Sequence, residues 1–144
     1  MNILKVVGFG FVILLLVMSC SSDTPFEAAN NTPPQNNTLS KFSEIQAQIF
    51  TTTCALSGCH DGSSLVTSLN LSSGKAYNAL VNVNSAEKPN LKLVNPGNSD
   101  DSYLIHKLTG NDIAGLQMPY GGTPLLKATI DSIARWIDDG APNN

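Results

Sequence analysis

The stretch Cys54-Ala55-Leu56-Ser57-Gly58-Cys59-His60 decides how the rest of this 144-residue chain is interpreted. Four residues separate two cysteine thiols, and an imidazole follows the second thiol directly. Cysteines pair as disulfides, bind metals or form covalent bonds to cofactors, and an adjacent histidine adds a nitrogen ligand. The segment is therefore a candidate site for a metal or a cofactor, and the flanking sequence has to distinguish the two.

Covalent attachment of haem uses this set of residues. Each cysteine can add across one haem vinyl group to form a thioether, and the histidine can then ligate the iron. The usual spacing places two residues between the cysteines, whereas four stand between Cys54 and Cys59. The motif predicts one covalently attached haem c, held by Cys54, Cys59 and His60 on a longer loop than usual.

The N-terminus has the features of a bacterial export signal. Lys5 gives a positively charged start, and the next 13 residues, Val6 to Met18, are apolar or glycine. Such a run is too short to cross a hydrocarbon core of about 30 Å as a helix, but it suits a signal peptide. It ends in Val17-Met18-Ser19-Cys20, which resembles the lipoprotein signal that is cut before a lipidated cysteine. We predict a signal peptide over residues 1–19 and a lipid anchor on Cys20.

The cysteine count narrows the chemistry of the motif. The chain has three cysteines, and once Cys20 carries a lipid only Cys54 and Cys59 remain. The disulfide framework that small exported domains often use would then be limited to a single bond. The pair must form that bond, bind a metal or hold a cofactor.

Composition divides the mature chain into a tether and a domain. Residues 20–40 are rich in Asn, Thr, Pro and Ser and show no hydrophobic period, which is typical of a flexible tether. In residues 41–142, apolar residues recur at helical spacing, and no stretch alternates as a strand would. The predicted helices cover residues 41–50, 73–81, 99–108 and 124–139, with a short extended piece at 91–94. We therefore predict an all-α domain of about four short helices joined by long loops.

Residues that start and stop helices set the expected boundaries. Ser40 is the predicted N-cap of the first helix, which should end at the β-branched Thr51–Thr53. Ser99 or Asp100 should cap the third helix, and Gly110 should stop it. The fourth should begin with Thr123 as its N-cap and end before Gly140. Its predicted buried stripe is Leu126, Ile130, Ile133 and Ile137.

Met118 is the candidate for a second iron ligand. Pro119 restricts Met118 to extended geometry, so a stiff loop presents its side chain. Gly121 and Gly122 allow the backbone to pass close to a flat macrocycle. A thioether raises the potential of haem iron relative to a second imidazole.

The order of these motifs resembles a known family. An amphipathic helix, Cys-x4-Cys-His, a central helix, Met118-Pro119 and a final helix ending Trp136-Ile137-Asp138-Asp139-Gly140-Ala141 follow one another. This looks like the class I cytochrome c domain, specifically the monohaem planctomycete-type module of exported bacterial proteins. The resemblance covers about residues 42–142. It implies a small domain wrapped around one haem, attachment through Cys54 and Cys59, and iron ligation by His60 and Met118. It also implies that the first and last helices pack together.

Three alternatives remain open from the sequence. His106 on the third helix is a rival distal ligand, and it would lower the potential relative to Met118. Cys54, Cys59, His60 and His106 together have the residue types of a zinc site, although two adjacent ligands are awkward for one tetrahedral metal. A Cys54–Cys59 disulfide in a non-redox interaction lipoprotein is the third alternative.

The expected function is electron transfer rather than catalysis. No Ser/His/Asp set, carboxylate pair or phosphate-binding loop is present as a catalytic site, although the chain could be a module that serves an oxidoreductase. The net charge of −3 argues against nucleic-acid binding. Loss of Lys5 with the signal leaves 7 basic and 11 acidic residues, which favours redox partners with a basic docking patch. Ser21, where an aspartate would retain a lipoprotein in the inner membrane, favours a periplasmic-side anchor in the outer membrane.

Overall fold

The computed structural model describes residues 39–63 and 68–144. The predicted signal peptide, Cys20 and all but the last two residues of the predicted tether lie outside these ranges. Leu39 is buried against the core, so the packed chain includes a residue that the sequence analysis placed in the tether. No helix in the described ranges is long and apolar enough to cross a membrane.

Helices are the only extended regular elements of the described chain. They are α1 (Phe42–Ile45), a π-helix (Gln46–Cys54) that continues α1, α2 (Ala76–Leu80), α3 (Tyr103–Thr109) and α4 (Lys127–Asp138). Between α2 and α3 the backbone forms only isolated β-bridges, which pair Val81 with Val94 and Lys92 with Asn84 and Ser102. The all-α prediction is confirmed at this level, and the bridges lie where a short extended piece was predicted.

The first helical segment is longer than predicted. Thr51–Thr53 were expected to end it, but the chain stays helical to Cys54 by widening into a π-helix. The amide of Ala55 accordingly donates to the carbonyl of Phe50, five residues earlier, at 2.7 Å. The Thr52 hydroxyl donates to the Gln48 carbonyl at 2.6 Å, which satisfies a backbone acceptor in the widened turn.

Two predicted N-caps are wrong. Ser40 does not cap α1, because the Glu44 carboxylate accepts the amides of both Ser40 and Lys41, at 3.0 and 3.3 Å. Ser99 does not start α3, because its amide and hydroxyl both donate to the Asp138 carboxylate. The first amides of α3 instead donate to carbonyls of the bridge segment, at Lys92 and Leu93.

The last helix also begins later than predicted. The Leu126 carbonyl accepts the first helical bonds, so Thr123 and Pro124 precede α4 rather than start it. Leu126 is therefore 66% exposed instead of buried, whereas Ile133 and Ile137 are fully buried as predicted. The end before Gly140 is confirmed, as is the stop of α3 at Gly110, which has a φ of +79°.

One core joins the two ends of the described chain. Phe42 of α1 lies 5.4 Å from Trp136 of α4 between ring centroids, and 5.2 Å from Tyr77 in an edge-to-face contact. The amide of Ser43 donates to the Asn144 carbonyl at 2.9 Å. Packing of the first helix against the last is thus observed directly.

Trp136→Ala should destabilise this core strongly. Trp136 is 1% exposed and its indole N–H donates to the Pro142 carbonyl at 2.9 Å. Loss of so large a buried ring should lower the free energy of unfolding by about 3–5 kcal/mol, measured by urea denaturation. Lys127→Ala on the same helix, at an exposed site, should change it by less than about 0.5 kcal/mol. Equal effects of the two variants would contradict the packing described above.

Candidate functional site

The π-helix delivers Cys54 to the edge of the core. The side chain is half-buried and packs against the hydrophobic cluster. Burial, together with the negative charge of nearby Cys59, raises the pKa of the Cys54 thiol to about 11. Cys54 is therefore a neutral thiol at physiological pH, while Cys59 is exposed, and neither is in a disulfide.

The four residues between the cysteines form a compact turn. The amide of Cys59 donates to the Leu56 carbonyl at 2.9 Å, and the amide of His60 donates to the Cys54 carbonyl at 3.1 Å. Gly58 has a φ of +78°, a backbone conformation that favours glycine. The longer loop thus returns the backbone of His60 to the end of the π-helix, next to the backbone of Cys54.

The imidazole of His60 is held in one tautomer. Its Nδ1 lies 3.2 Å from the backbone carbonyl of Leu69. A carbonyl oxygen can only accept, so Nδ1 carries the proton and Nε2 keeps its lone pair. Histidines that ligate metals commonly donate their other ring N–H to such a carbonyl, which fixes ring orientation. The sequence offered no signal for Leu69, because the contact depends on how the chain returns after the motif.

Met118 lies on a loop fixed to α3. Its amide donates to the Lys107 carbonyl at 2.8 Å, and its side chain is half-buried against the same core that Cys54 contacts. The bond to Pro119 is cis. Two neighbours on the loop, Leu116 and Tyr120, are large apolar side chains that stand exposed.

A cleft of about 310 Å³ opens beside this loop, between the end of α3 and the start of α4. Its lining includes the apolar residues Leu108, Leu125 and Ile130. Leu125 and Ile130 also pack against the core. The cleft therefore places apolar surface next to the segment that carries Met118.

His106 forms a hydrogen bond with the backbone just before α3. Its Nε2 donates to the Asp100 carbonyl at 2.7 Å, and its ring centroid lies 6.1 Å from that of Tyr103. Its Nδ1 is buried and has no hydrogen-bond partner within residues 39–63 and 68–144. Nε2 of His106 is thus already bonded to a nearby backbone carbonyl and is not free to bind a metal.

The zinc alternative finds no ligand set in the structure. Within residues 39–63 and 68–144, no group of three His, Cys, Asp or Glu side chains is arranged to hold a metal ion. Cys54, Cys59 and His60 are close in sequence, but their side chains do not form such a group, either alone or with His106. This counts against the Cys2His2 interpretation.

The donor set fits haem better. Two neighbouring free thiols and an oriented imidazole on one turn are the groups that attach and ligate haem, and a thioether lies at the edge of the same core. Large exposed apolar side chains are near both parts of this set in sequence: Leu56 lies between the cysteines, and Leu116 and Tyr120 lie two residues either side of Met118. A bulky apolar cofactor would cover such surface.

One polar cluster next to Met118 was not predicted. Lys107, Glu87 and Tyr103 form a hydrogen-bonded group that holds the chain between α3 and Met118. The sequence carried a weak signal, because Lys107 follows Tyr103 by four residues and so lies on the buried face of α3.

Comparison of the chain with protein-family models, with curated proteins and with solved structures finds no match. The functional argument therefore rests on the residues of the site.

Proposed function

We propose that this chain is a lipid-anchored monohaem c-type cytochrome that carries electrons in the bacterial cell envelope. The observation that carries the proposal is the orientation of His60. Because Nδ1 of His60 donates to the Leu69 carbonyl, Nε2 keeps a lone pair with which it can bind iron. The two cysteines of the motif, which precede His60, are free thiols. This combination is what covalent haem attachment with proximal histidine ligation requires.

Each residue of the site has a distinct role in this proposal. Cys54 and Cys59 would hold haem c through thioethers, and His60 and Met118 would ligate its iron. When bound, the haem supplies a one-electron couple. Two protein ligands leave no coordination position for a substrate, which suits an electron carrier, alone or as a module of an oxidoreductase.

Met118 is the preferred distal ligand. Its side chain lies at the edge of the core, and none of the described residues forms a hydrogen bond with its weakly polar sulfur. His106 would have to give up the 2.7 Å bond from Nε2 to Asp100 before that nitrogen could ligate iron. The energetic difference supports methionine ligation, and with it a higher potential than a bis-histidine site would have.

The non-redox lipoprotein with a Cys54–Cys59 disulfide gains no support from the site. In the structure both cysteines are free thiols. In the proposed cytochrome each thiol would form its own thioether with a haem vinyl group, so no disulfide between Cys54 and Cys59 is needed.

The membrane anchor and the partners follow from charge and sequence. A lipid on Cys20 would hold the domain on the periplasmic side of the membrane, with the outer membrane favoured by Ser21. The excess of acidic residues in the mature chain suits redox partners that dock through a basic patch.

An absorption spectrum in alkaline pyridine tests the cofactor. We expect the full-length protein, produced with haem-maturation machinery, to show the spectrum of haem c at one haem per chain. The colour should remain with the protein after acid–acetone extraction, because thioethers are covalent. Colourless protein with native helicity would overturn the proposal.

A further inference from the structure

The cluster next to Met118 contains an ion pair between a buried lysine and a half-exposed glutamate. Lys107 is 9% exposed, and its Nζ lies 2.9 Å from a carboxylate oxygen of Glu87 and 3.1 Å from the carbonyl of Ala114. The Tyr103 hydroxyl donates to the same Glu87 oxygen at 2.7 Å. Lysine is seldom buried unless it is paired, and here Glu87 and the Ala114 carbonyl are the partners of Lys107.

Glu87 is charged in this cluster. Burial opposes the charge, yet hydrogen bonds from Tyr103 and Lys107 hold the pKa of the Glu87 carboxyl below its usual value. The pair is thus ionic at neutral pH, and its hydrogen bonds are charge-assisted.

The cluster fixes the segment that leads to Met118 at two points. At Ala114, the amide donates to the Tyr103 hydroxyl at 2.9 Å, while the carbonyl accepts from Lys107. At Met118, the amide donates to the backbone carbonyl of Lys107 at 2.8 Å. Lys107 of α3 therefore holds the segment through both its side chain and its backbone.

Gly115 lets the chain pass close to the ion pair. Its φ is +67°, and a Cβ at this position would lie 3.4 Å from a Glu87 carboxylate oxygen and 3.9 Å from the Lys107 nitrogen. The backbone conformation favours glycine, whereas the two distances are ordinary van der Waals contacts. The loop is shaped to fit the charged cluster.

Such an ion pair contributes little to stability, because burial of the Lys107 charge offsets part of the attraction and solvent screens the half-exposed Glu87. Its better-attested use is to specify one arrangement among several. Here the arrangement that it specifies is the path from α3 to Met118.

We propose that Lys107, with Glu87 and Tyr103, is a positioning cluster that keeps the Met118 thioether at the haem iron and resists its displacement by external ligands. The proposal rests on the function proposed above, with Met118 as the distal ligand. Loss of the cluster should let the loop open, so that Met118 can ligate the iron in a smaller fraction of the molecules. An external ligand then meets less competition from Met118 and binds more tightly.

Imidazole titration of the ferric holoprotein tests this role. In Lys107→Leu, Glu87 can turn to solvent because its side chain is half-exposed, so no unpaired charge is buried. We expect imidazole to bind about tenfold more tightly than to wild type, because the methionine-ligated state is less populated. Glu87→Gln, which keeps the shape of the cluster, should give a smaller change in the same direction. Hydrogen exchange at the Met118 amide should also quicken about tenfold in Lys107→Leu, a readout that does not use the haem.

Lys127→Leu is the matched control. Lys127 forms an exposed ion pair with Asp131 on its own helix, 2.7 Å apart, and does not hold the Met118 segment. Imidazole affinity and exchange at Met118 should equal wild type.

The outcomes separate this inference from the proposed function. A wild-type protein without haem overturns the function itself. A ferric spectrum that Met118→Ala leaves unchanged overturns methionine ligation, and with it the positioning role, but not the haem. If methionine ligation stands and folded Lys107→Leu and Glu87→Gln bind imidazole as wild type does, only the positioning role fails. Loss of the whole fold in both variants would make the cluster a stability element and would likewise overturn the inference.

Discussion

Replacement of both Cys54 and Cys59 with alanine should abolish covalent haem and leave a largely unfolded chain. The α-helices of the described residues are short, and the longest, α4, has 12 residues, a length at which isolated helices are marginal in water. Large apolar side chains beside both parts of the site stand exposed, so the cofactor would complete the burial of apolar surface. The protein without haem should therefore lose most of its folding free energy.

The measurement combines haem stoichiometry in alkaline pyridine with far-UV circular dichroism during urea denaturation. We expect no haem in the protein fraction and no cooperative transition. Cys20→Ala is the matched control, because it removes the third cysteine outside the site. It should keep one covalent haem per chain and release the protein from the membrane fraction. A stable, cooperatively unfolding apo-domain in the double variant would refute the structural role of haem.

Single replacements should separate the two thiols. Cys54 is half-buried beside the core and Cys59 is exposed on the turn, so their environments differ. Either variant alone should keep haem through one thioether if the turn presents both thiols correctly. A single variant with wild-type spectrum and stability would indicate that the corresponding thioether does not form with the four-residue spacing.

Local sequence patterns predicted the helices better than their ends. Ile133 and Ile137 are buried as helical periodicity required, and Gly110 and Gly140 follow the helices that they were expected to stop. These features depend on residues a few positions apart. Thr51–Thr53 were misjudged, because propensity describes an α-helix and the chain adopts a wider π-helix there.

Features formed by distant residues could not be predicted from local pattern. Ser99 has the chemistry of an N-cap, but Asp138, 39 residues later, takes both of its donors. Lys107 has the chemistry of a surface charge, but its side chain pairs with Glu87, 20 residues earlier. Likewise, the Cys-x4-Cys-His motif predicted a ligand at His60, but the carbonyl that orients it belongs to Leu69. Tertiary contacts determine each of these, so only the folded chain reveals them.

Met118→Ala should change the electronic properties of the haem more than any other substitution outside the attachment motif. The ferric protein should lose the weak methionine-to-iron charge-transfer absorption. Its potential should fall by on the order of 100 mV, a fraction of the roughly 0.8 V over which axial ligands set haem potentials. Spectroelectrochemical titration measures both quantities on one sample. Covalent haem content should not change, because Cys54, Cys59 and His60 are untouched.

His106→Ala is the decisive comparison for this prediction. Nε2 of His106 is already bonded to the Asp100 carbonyl at 2.7 Å, so its removal should leave the charge-transfer band and the potential close to wild type. The opposite pattern, a silent Met118→Ala and a large shift in His106→Ala, would transfer distal ligation to His106. That result would require the start of α3 to rearrange on haem binding, because the Asp100 bond must break before Nε2 can reach the iron. Methionine ligation needs no such rearrangement of α3, and this difference is the physical reason to expect Met118 to be the ligand.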